Sequence, residues 1–225
     1  MGALRAIMGN RDLVRLEAAW GWVSLVRWAL AILVGLYAYD VAGSTGVGVA
    51  ALARMAPASL LAPRLSVLVD RHSRRLVLLW SLVARVGLAA VMAWAVWVEA
   101  PLGVVLVAAG GYGLAECLQR PAQAALLGVH ARNPSQLAAA NSIWSMLDNL
   151  GFVVGSLMVG GLAALAGTRT AFLVCVVPLL LACVAAARLT ADVPPPPLED
   201  EDDHPQARTG RAAVLGDRRL VLLLV

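Results

Sequence analysis

Residues 76–98 read LVLLWSLVARVGLAAVMAWAVWV, and this stretch decides the fold. Its only ionisable side chain is Arg85, and the turn-forming residues Glu99, Ala100 and Pro101 follow it directly. An α-helix rises about 1.5 Å per residue, so about 20 apolar residues cross a hydrocarbon core about 30 Å thick. The stretch therefore predicts a helix that spans a membrane.

Similar apolar runs occur along most of the chain and predict an all-α membrane protein. Hydrophobic residues make up 60% of the sequence, charged residues make up 14%, and the mean hydropathy is +0.79. A soluble domain carries about 25% charged residues, so this chain has too few charges to cover a water-facing surface. The six predicted transmembrane helices are residues 18–39, 46–69, 76–98, 102–127, 137–166 and 170–187.

Arginines in the short connections predict the orientation, because positively charged loops stay in the cytoplasm. They lie before the first span and after the second, fourth and sixth, whereas the opposite connections contain only Arg169. We therefore predict a multi-pass protein of the cell inner (plasma) membrane with a cytoplasmic N-terminus. The predicted domains are a cytoplasmic N-terminus (1–17), a six-helix transmembrane bundle (18–188), a cytoplasmic linker rich in proline and acidic residues (189–217) and the start of a truncated seventh helix (218–225).

Ionisable residues also occur near the middle of predicted spans, where a charge costs about 2.5–3.5 kcal/mol on insertion scales. Arg27, Arg85, Glu116 and Asp148 fall at one predicted depth, and Arg54 lies somewhat toward the outer side. Because a lone charge is so costly there, we expect these cations and acids to pair with one another.

Helical spacing places polar residues on common faces. Glu116, Arg120 and Gln123 share one face of the fourth span, and Asn141 and Asp148 share one face of the fifth. Such stripes indicate either hydrogen bonds that hold helices together or a water-filled pathway for a substrate or protons. The predicted pathway residues are Arg27, Arg54, Glu116, Arg120, Gln123, Asn141 and Asp148.

The connection after the second span reads SVLVDRHSRR, residues 66–75. It resembles the loop signature G-x-L-a-D-R-x-G-R-R of the major facilitator superfamily, with serine at both glycine positions. The resemblance implies that Asp70, Arg71, Arg74 and Arg75 form a cytoplasmic gating loop between the second and third helices.

Two further segments resemble motifs of that family, and they occur in the same order along the chain as in the family. Residues 120–124 resemble its R-x-x-Q-G motif, and residues 151–160 are similar to its G-x-x-x-G-P-x-x-G-G motif. Gly151, Gly155 and Gly160 are therefore expected to allow close helix packing. Residues 120–127, with 137 and 140–142, also resemble the enterobactin-exporter-like branch. The resemblance implies six transmembrane helices that form one half of a twelve-helix bundle.

We therefore predict a secondary active transporter that exports a small molecule by alternating access, with proton coupling. Its expected partners are the lipid bilayer, the substrate, protons and a missing C-terminal half, and no nucleic acid. We expect no cofactor, no metal and no enzymatic activity, because the sequence carries no hydrolase elbow, phosphate loop or metal-ligand cluster. One alternative is a membrane anchor or sensor module for a downstream soluble domain, and another is a six-helix protein that forms homodimers.

Overall fold

The computed structural model describes the backbone of residues 7–190 and the side chains of residues 7–61 and 72–190. These residues form helices and short connections and contain no strand. Four helices are long and apolar enough to cross a membrane, which confirms the predicted all-helical membrane protein. They are α1 (Arg11–Arg71), α2 (Arg74–Trp97), α3 (Leu102–His130) and α4 (Pro134–Ala187).

The structure therefore has four long helices where six separate ones were predicted. The first two predicted spans both lie in α1, and the last two both lie in α4. The expected loops are absent because helical geometry is interrupted only at Ala42 and Gly43 in α1 and at Gly167 in α4. A connection of one or two residues replaces each predicted loop.

The chain nevertheless reverses direction within α1. A straight helix would separate Ala38 from Gly46 by about 12 Å, yet a Cβ atom at Gly46 would contact the carbonyl oxygen of Ala38. Arg54 Nη2 lies 3.3 Å from the carbonyl oxygen of Arg27, although a straight helix would separate these residues by about 40 Å. α1 is therefore a hairpin. Its first arm is residues 11–41 and its second arm is residues 44–71.

α4 reverses direction in the same way. The Trp144 ring packs on Trp20 with centroids 4.7 Å apart, and Arg15 donates a 2.7 Å hydrogen bond to the carbonyl oxygen of Arg188, just after α4. Arg15 and Trp20 are about 8 Å apart along α1, whereas a straight helix would place Trp144 and Arg188 about 66 Å apart. α4 is therefore a second hairpin, with a first arm of residues 134–166 and a second arm of residues 168–187.

Glycine makes both reversals possible. Gly43 has φ 63° and ψ −153°, and Gly167 has φ 82° and ψ 160°. Only glycine adopts this part of backbone space readily, because a Cβ atom would clash with the neighbouring peptide groups. Each hairpin therefore depends on one glycine.

Buried apolar side chains form one cluster that includes residues from all four helices. α1 packs mainly on α3 and α4, and α2 packs on α3 and α4. Gly110 permits the close contact of α3 with the second arm of α1, because a Cβ atom there would lie 2.8 Å from the carbonyl oxygen of Ala53. This close approach brings the polar residues of α1 and α3 together.

At one end of the bundle, polar side chains form hydrogen bonds with the ends of helices. α1 begins at Arg11, before the predicted span at residue 18, with the side chain of Asn10 accepting a hydrogen bond from the Leu13 amide. Asn10 also donates a 2.7 Å hydrogen bond to the carbonyl oxygen of His130, the last residue of α3. The side chains of Asp70 and Arg71, most of the predicted linker and the predicted seventh helix (residues 191–225) lie outside the described residues.

Candidate functional site

Five charged side chains meet in the middle of the bundle. They come from both arms of α1, from α3 and from the first arm of α4, so no single helix contains the cluster. Its members are Arg27, Arg54, Glu116, Arg120 and Asp148. We refer to them as the charge cluster.

Arg27 is the centre of the charge cluster. Its Nη2 atom donates to Asp148 Oδ1, and its Nη1 atom lies 3.6 Å from Glu116 Oε1. The residue is only 7% exposed, and its guanidinium carbon lies 5.0 Å from the Trp28 ring centroid and 5.6 Å from that of Trp20. Two carboxylates and two aromatic faces, which attract cations, therefore stabilise one buried guanidinium.

Each acid of the charge cluster is shared by two arginines. Glu116 Oε2 lies 3.4 Å from Arg54 Nη2, and Asp148 Oδ2 lies 3.6 Å from Arg120 Nη2. The Ser24 hydroxyl also donates a 2.7 Å hydrogen bond to Asp148 Oδ1. Glu116 therefore connects α3 with both arms of α1, and Asp148 connects α4 with α1 and α3.

Cations outnumber acids in the charge cluster by one. The side chain of Arg120 is 53% exposed, whereas that of Arg27 is 9% exposed. Arg120 therefore has the most capacity to bind a further polar group.

A cavity of about 540 Å³ opens beside the charge cluster. This volume lies in the range of small-molecule sites, about 300–1,000 Å³. Among the described residues, no group of three or more His, Cys, Asp or Glu side chains is placed to hold a metal ion. The polar and aromatic side chains that line the cavity are Arg27, Trp28, Arg54, Ser59, Glu116, Cys117 and Arg120.

Two predicted pathway residues lie outside the charge cluster. Gln123 is fully buried and donates a 3.3 Å hydrogen bond to the carbonyl oxygen of Leu16, so it connects α3 with α1. Asn141 is exposed on α4, where its backbone carbonyl accepts a hydrogen bond from Ser145. Neither residue lines the cavity beside the charge cluster.

The expected pairing of Arg85 with an acid is wrong. Arg85 is fully buried and donates to Gln119 Oε1 and, over 2.5 Å, to the Tyr112 hydroxyl. Its guanidinium carbon lies 4.4 Å from the Tyr112 ring centroid, and no described carboxylate forms an ion pair with it. Tyr112 and Gln119 are seven residues apart and share a face of α3, a sequence signal that the prediction missed.

The glycines of α4 differ in their packing. A Cβ atom at Gly151 would lie 2.6 Å from Ser24 Oγ, and one at Gly155 would lie 2.6 Å from the carbonyl oxygen of Leu25. At Gly160 a Cβ atom would meet nothing within 4 Å among the described residues. Five helical residues rotate the side-chain direction by about 140°, so Gly160 faces away from the contact. The expected close packing holds for the first two glycines only.

The predicted gating loop is described in part. Ser73 caps α2 by accepting a 3.2 Å hydrogen bond from the Leu76 amide, and Arg74 is half-buried. Arg75 Nη2 donates a 2.8 Å hydrogen bond to the carbonyl oxygen of Ala187. A cation at the C-terminal end of a helix is favourable because the last carbonyl groups lack helical partners.

Comparison with known families identifies the class of this chain. The family model of the Major Facilitator Superfamily matches residues 22–225. The chain therefore belongs to the Major Facilitator Superfamily and is a multi-pass membrane transporter, as predicted. The match is to the superfamily and is not specific to the enterobactin-exporter-like branch. A search of curated proteins finds no match.

Proposed function

We propose that this chain is the N-terminal half of a secondary transporter that exports a small molecule in exchange for protons. The charge cluster and its cavity of about 540 Å³ are the proposed substrate and proton site. In this proposal the four hairpin arms, together with α2 and α3, rock as a unit against a C-terminal half, so that the site opens alternately to each side of the membrane. The protein lies in an inner membrane with its N-terminus in the cytoplasm. The resemblance of residues 120–127 supports the enterobactin-exporter-like branch.

The observation that carries the proposal is that each acid pairs with two arginines, which lie on the two arms of α1 for Glu116 and on α1 and α3 for Asp148. Glu116 pairs with Arg27 and Arg54, and Asp148 pairs with Arg27 and Arg120. A proton on either carboxylate removes the negative charge that holds these helices together. In this proposal, proton uptake therefore changes how firmly α1, α3 and α4 are held against one another around the site at the repeat interface.

The exposed Arg120 supports the placement of the substrate. Arg120 lines the cavity, and its guanidinium lies 3.6 Å from Asp148 Oδ2 and 5.7 Å from the Trp20 ring centroid. Arginine binds polar and anionic groups through several N–H donors in a fixed geometry. A polar group of the substrate is therefore expected to contact Arg120, and its binding competes with Asp148 for the same guanidinium.

The experiment is proton flux in inverted membrane vesicles that contain the full-length protein. A transported compound, identified from a panel of polar metabolites and drugs, should dissipate an imposed pH gradient as reported by acridine orange fluorescence. Asp148→Asn and Arg120→Ala should lower this flux at least about tenfold at equal expression, because each removes a charge that the site uses. Glu99→Gln is the matched control, because Glu99 pairs with Arg169 at an exposed turn. Wild-type flux in both cluster variants would refute the proposed site.

A further inference from the structure

A second group of polar side chains connects α3 with α2 and α1, and none of its members lines the cavity beside the charge cluster. Arg85 of α2 is fully buried and donates hydrogen bonds to the Tyr112 hydroxyl and to Gln119 Oε1 of α3. Gln119 Nε2 donates a 3.5 Å hydrogen bond to Gln123 Oε1, and Gln123 Nε2 donates to the carbonyl oxygen of Leu16 in α1. We refer to Arg85, Tyr112, Gln119 and Gln123 as the Arg85 network.

The Arg85 network shares α3 with the charge cluster. Successive residues of a helix are rotated by about 100°, so Glu116 and Arg120 lie about 40° and about 80° around α3 from Tyr112. Arg120 also follows Gln119 directly in the sequence. The face of α3 that contacts Arg85 is therefore adjacent to the face that carries the charge cluster, and a rotation of α3 moves both.

The Arg85 network is a costly way to hold two helices together. A charge at the centre of a span costs about 2.5–3.5 kcal/mol on insertion scales, and no described carboxylate forms an ion pair with Arg85. Apolar packing, such as the side chain of Leu88 against Gly111, joins the same two helices at lower cost. A guanidinium adds a fixed geometry, because its planar fork holds each acceptor in a defined direction. Two acceptors seven residues apart on α3 therefore fix the rotation of α3 about its own axis.

We propose that Arg85 is a positioning residue that fixes the rotation of α3 and thereby directs Glu116 and Arg120 into the charge cluster. This inference rests on the proposed function, because a fixed geometry matters for transport only if the charge cluster binds substrate and protons. The ion pairs that Glu116 and Arg120 form in the charge cluster are 3.4–3.6 Å long. They are near the limit of about 4 Å for an ion pair, so a small rotation of α3 is enough to break them.

Cys117 reports the rotation of α3 without a transport measurement. It lines the cavity, is half-buried, and its Sγ atom lies 3.8 Å from the carbonyl oxygen of Ala58 in the second arm of α1. In the full-length protein in nanodiscs, with every other cysteine replaced by alanine, the rate of its reaction with N-ethylmaleimide is measured. Arg85→Gln should raise this rate at least about threefold, because the freed α3 carries the thiol away from Ala58 and exposes it.

Transport kinetics in inverted vesicles test the consequence for the charge cluster. Arg85→Gln should raise the KM of the transported compound at least about fivefold, because Arg120 is no longer held in its binding position. Tyr112→Phe removes one acceptor and keeps the ring, so it should change the KM and the labelling rate in the same directions if Arg85→Gln does not fold. Leu88→Ala is the matched control, because it weakens apolar packing of α2 on α3 and leaves the Arg85 network in place. It should lower the melting temperature and keep the wild-type KM and labelling rate.

The outcomes separate this proposal from the proposed function. A wild-type labelling rate and a wild-type KM in folded Arg85→Gln and Tyr112→Phe would overturn the positioning role. Equal changes in Leu88→Ala would also overturn it, because any loosening of α2 against α3 would then be sufficient. Faster labelling in Arg85→Gln, with wild-type flux in Asp148→Asn and Arg120→Ala, would show that Arg85 fixes α3 and would refute the proposed transport site.

Discussion

At the scale of single residues, Arg27 contributes most to the ion pairs of the charge cluster. Of the three arginines in the cluster, it alone contacts both acids, and its guanidinium is almost fully withdrawn from solvent. Without it, Asp148 and Glu116 would each lose their most buried cation. Arg54 and Arg120 are more exposed and replace it only in part.

We predict that Arg27→Gln lowers the free energy of unfolding by about 3–5 kcal/mol, because it removes the most buried cation beside two partly buried carboxylates. Asp148→Asn should also destabilise the protein, and the double variant should lose less than the sum of the two single variants. The coupling energy is expected to be about 1–3 kcal/mol. The measurement is denaturant unfolding of the detergent-solubilised protein, analysed as a double-mutant cycle.

The control cycle uses Glu99 and Arg169, whose ion pair is exposed and lies outside the charge cluster. Exposed pairs contribute up to about 1 kcal/mol, so this cycle should show little coupling. Additive effects of Arg27→Gln and Asp148→Asn would show that the central ion pair does not stabilise the fold.

At the scale of elements, the two hairpins give the bundle its form. Each reverses a long apolar helix without a loop, and the two arms of α1 are in contact at Gly46 with Ala38 and at Arg54 with Arg27. Open space surrounds both Gly43 and Gly167, where an added Cβ atom would meet nothing within 4 Å among the described residues. Glycine is therefore required at these positions for its backbone conformation and not for close packing.

We predict that Gly43→Ala and Gly167→Ala each lower the free energy of unfolding by about 1–3 kcal/mol, the cost of placing a side chain in a backbone region that suits only glycine. Gly48→Ala is the matched control, because Gly48 is helical and also has open space around it. Alanine there should leave stability unchanged or raise it by up to about 1 kcal/mol. Equal effects of all three substitutions in thermal unfolding would contradict this explanation.

At the scale of the whole molecule, the two ends of the bundle differ in their chemistry. At one end, Arg15 and Arg75 bind the backbone carbonyls of Arg188 and Ala187. At the other end, Glu99 pairs with Arg169 beside the Gly167 reversal. An arginine-rich end of a membrane bundle is expected to face the cytoplasm.

Cysteine labelling tests this orientation. In spheroplasts, a membrane-impermeant maleimide should label Val98→Cys, at the end that contains Glu99, and should not label Ser135→Cys, at the start of α4. Both positions are exposed, so the difference reports the side of the membrane. The native residues Cys117, Cys175 and Cys183 are replaced by alanine in both variants. As a control, both cysteines should be labelled after the membrane is permeabilised. The reverse labelling pattern in intact spheroplasts would show that the predicted orientation is wrong.

The sequence by itself determined the helical membrane class and the family. These properties depend on local features, because hydrophobic length and arginine placement are visible within one segment. It also identified Arg27, Glu116 and Asp148, since a charge inside an apolar run is visible without a structure. The positions of both reversals were predicted, although each was expected to be a loop.

Only the tertiary structure decided which of these charges meet. Spacing along a helix assigns residues to a face of that helix, but the rotation of one helix against another depends on packing at contacts such as Gly151 with Ser24. Arg85 therefore pairs with Tyr112 and Gln119 instead of an acid. That no described residue pairs with the Glu17 carboxylate also appeared only in three dimensions, because it depends on every helix that packs around it.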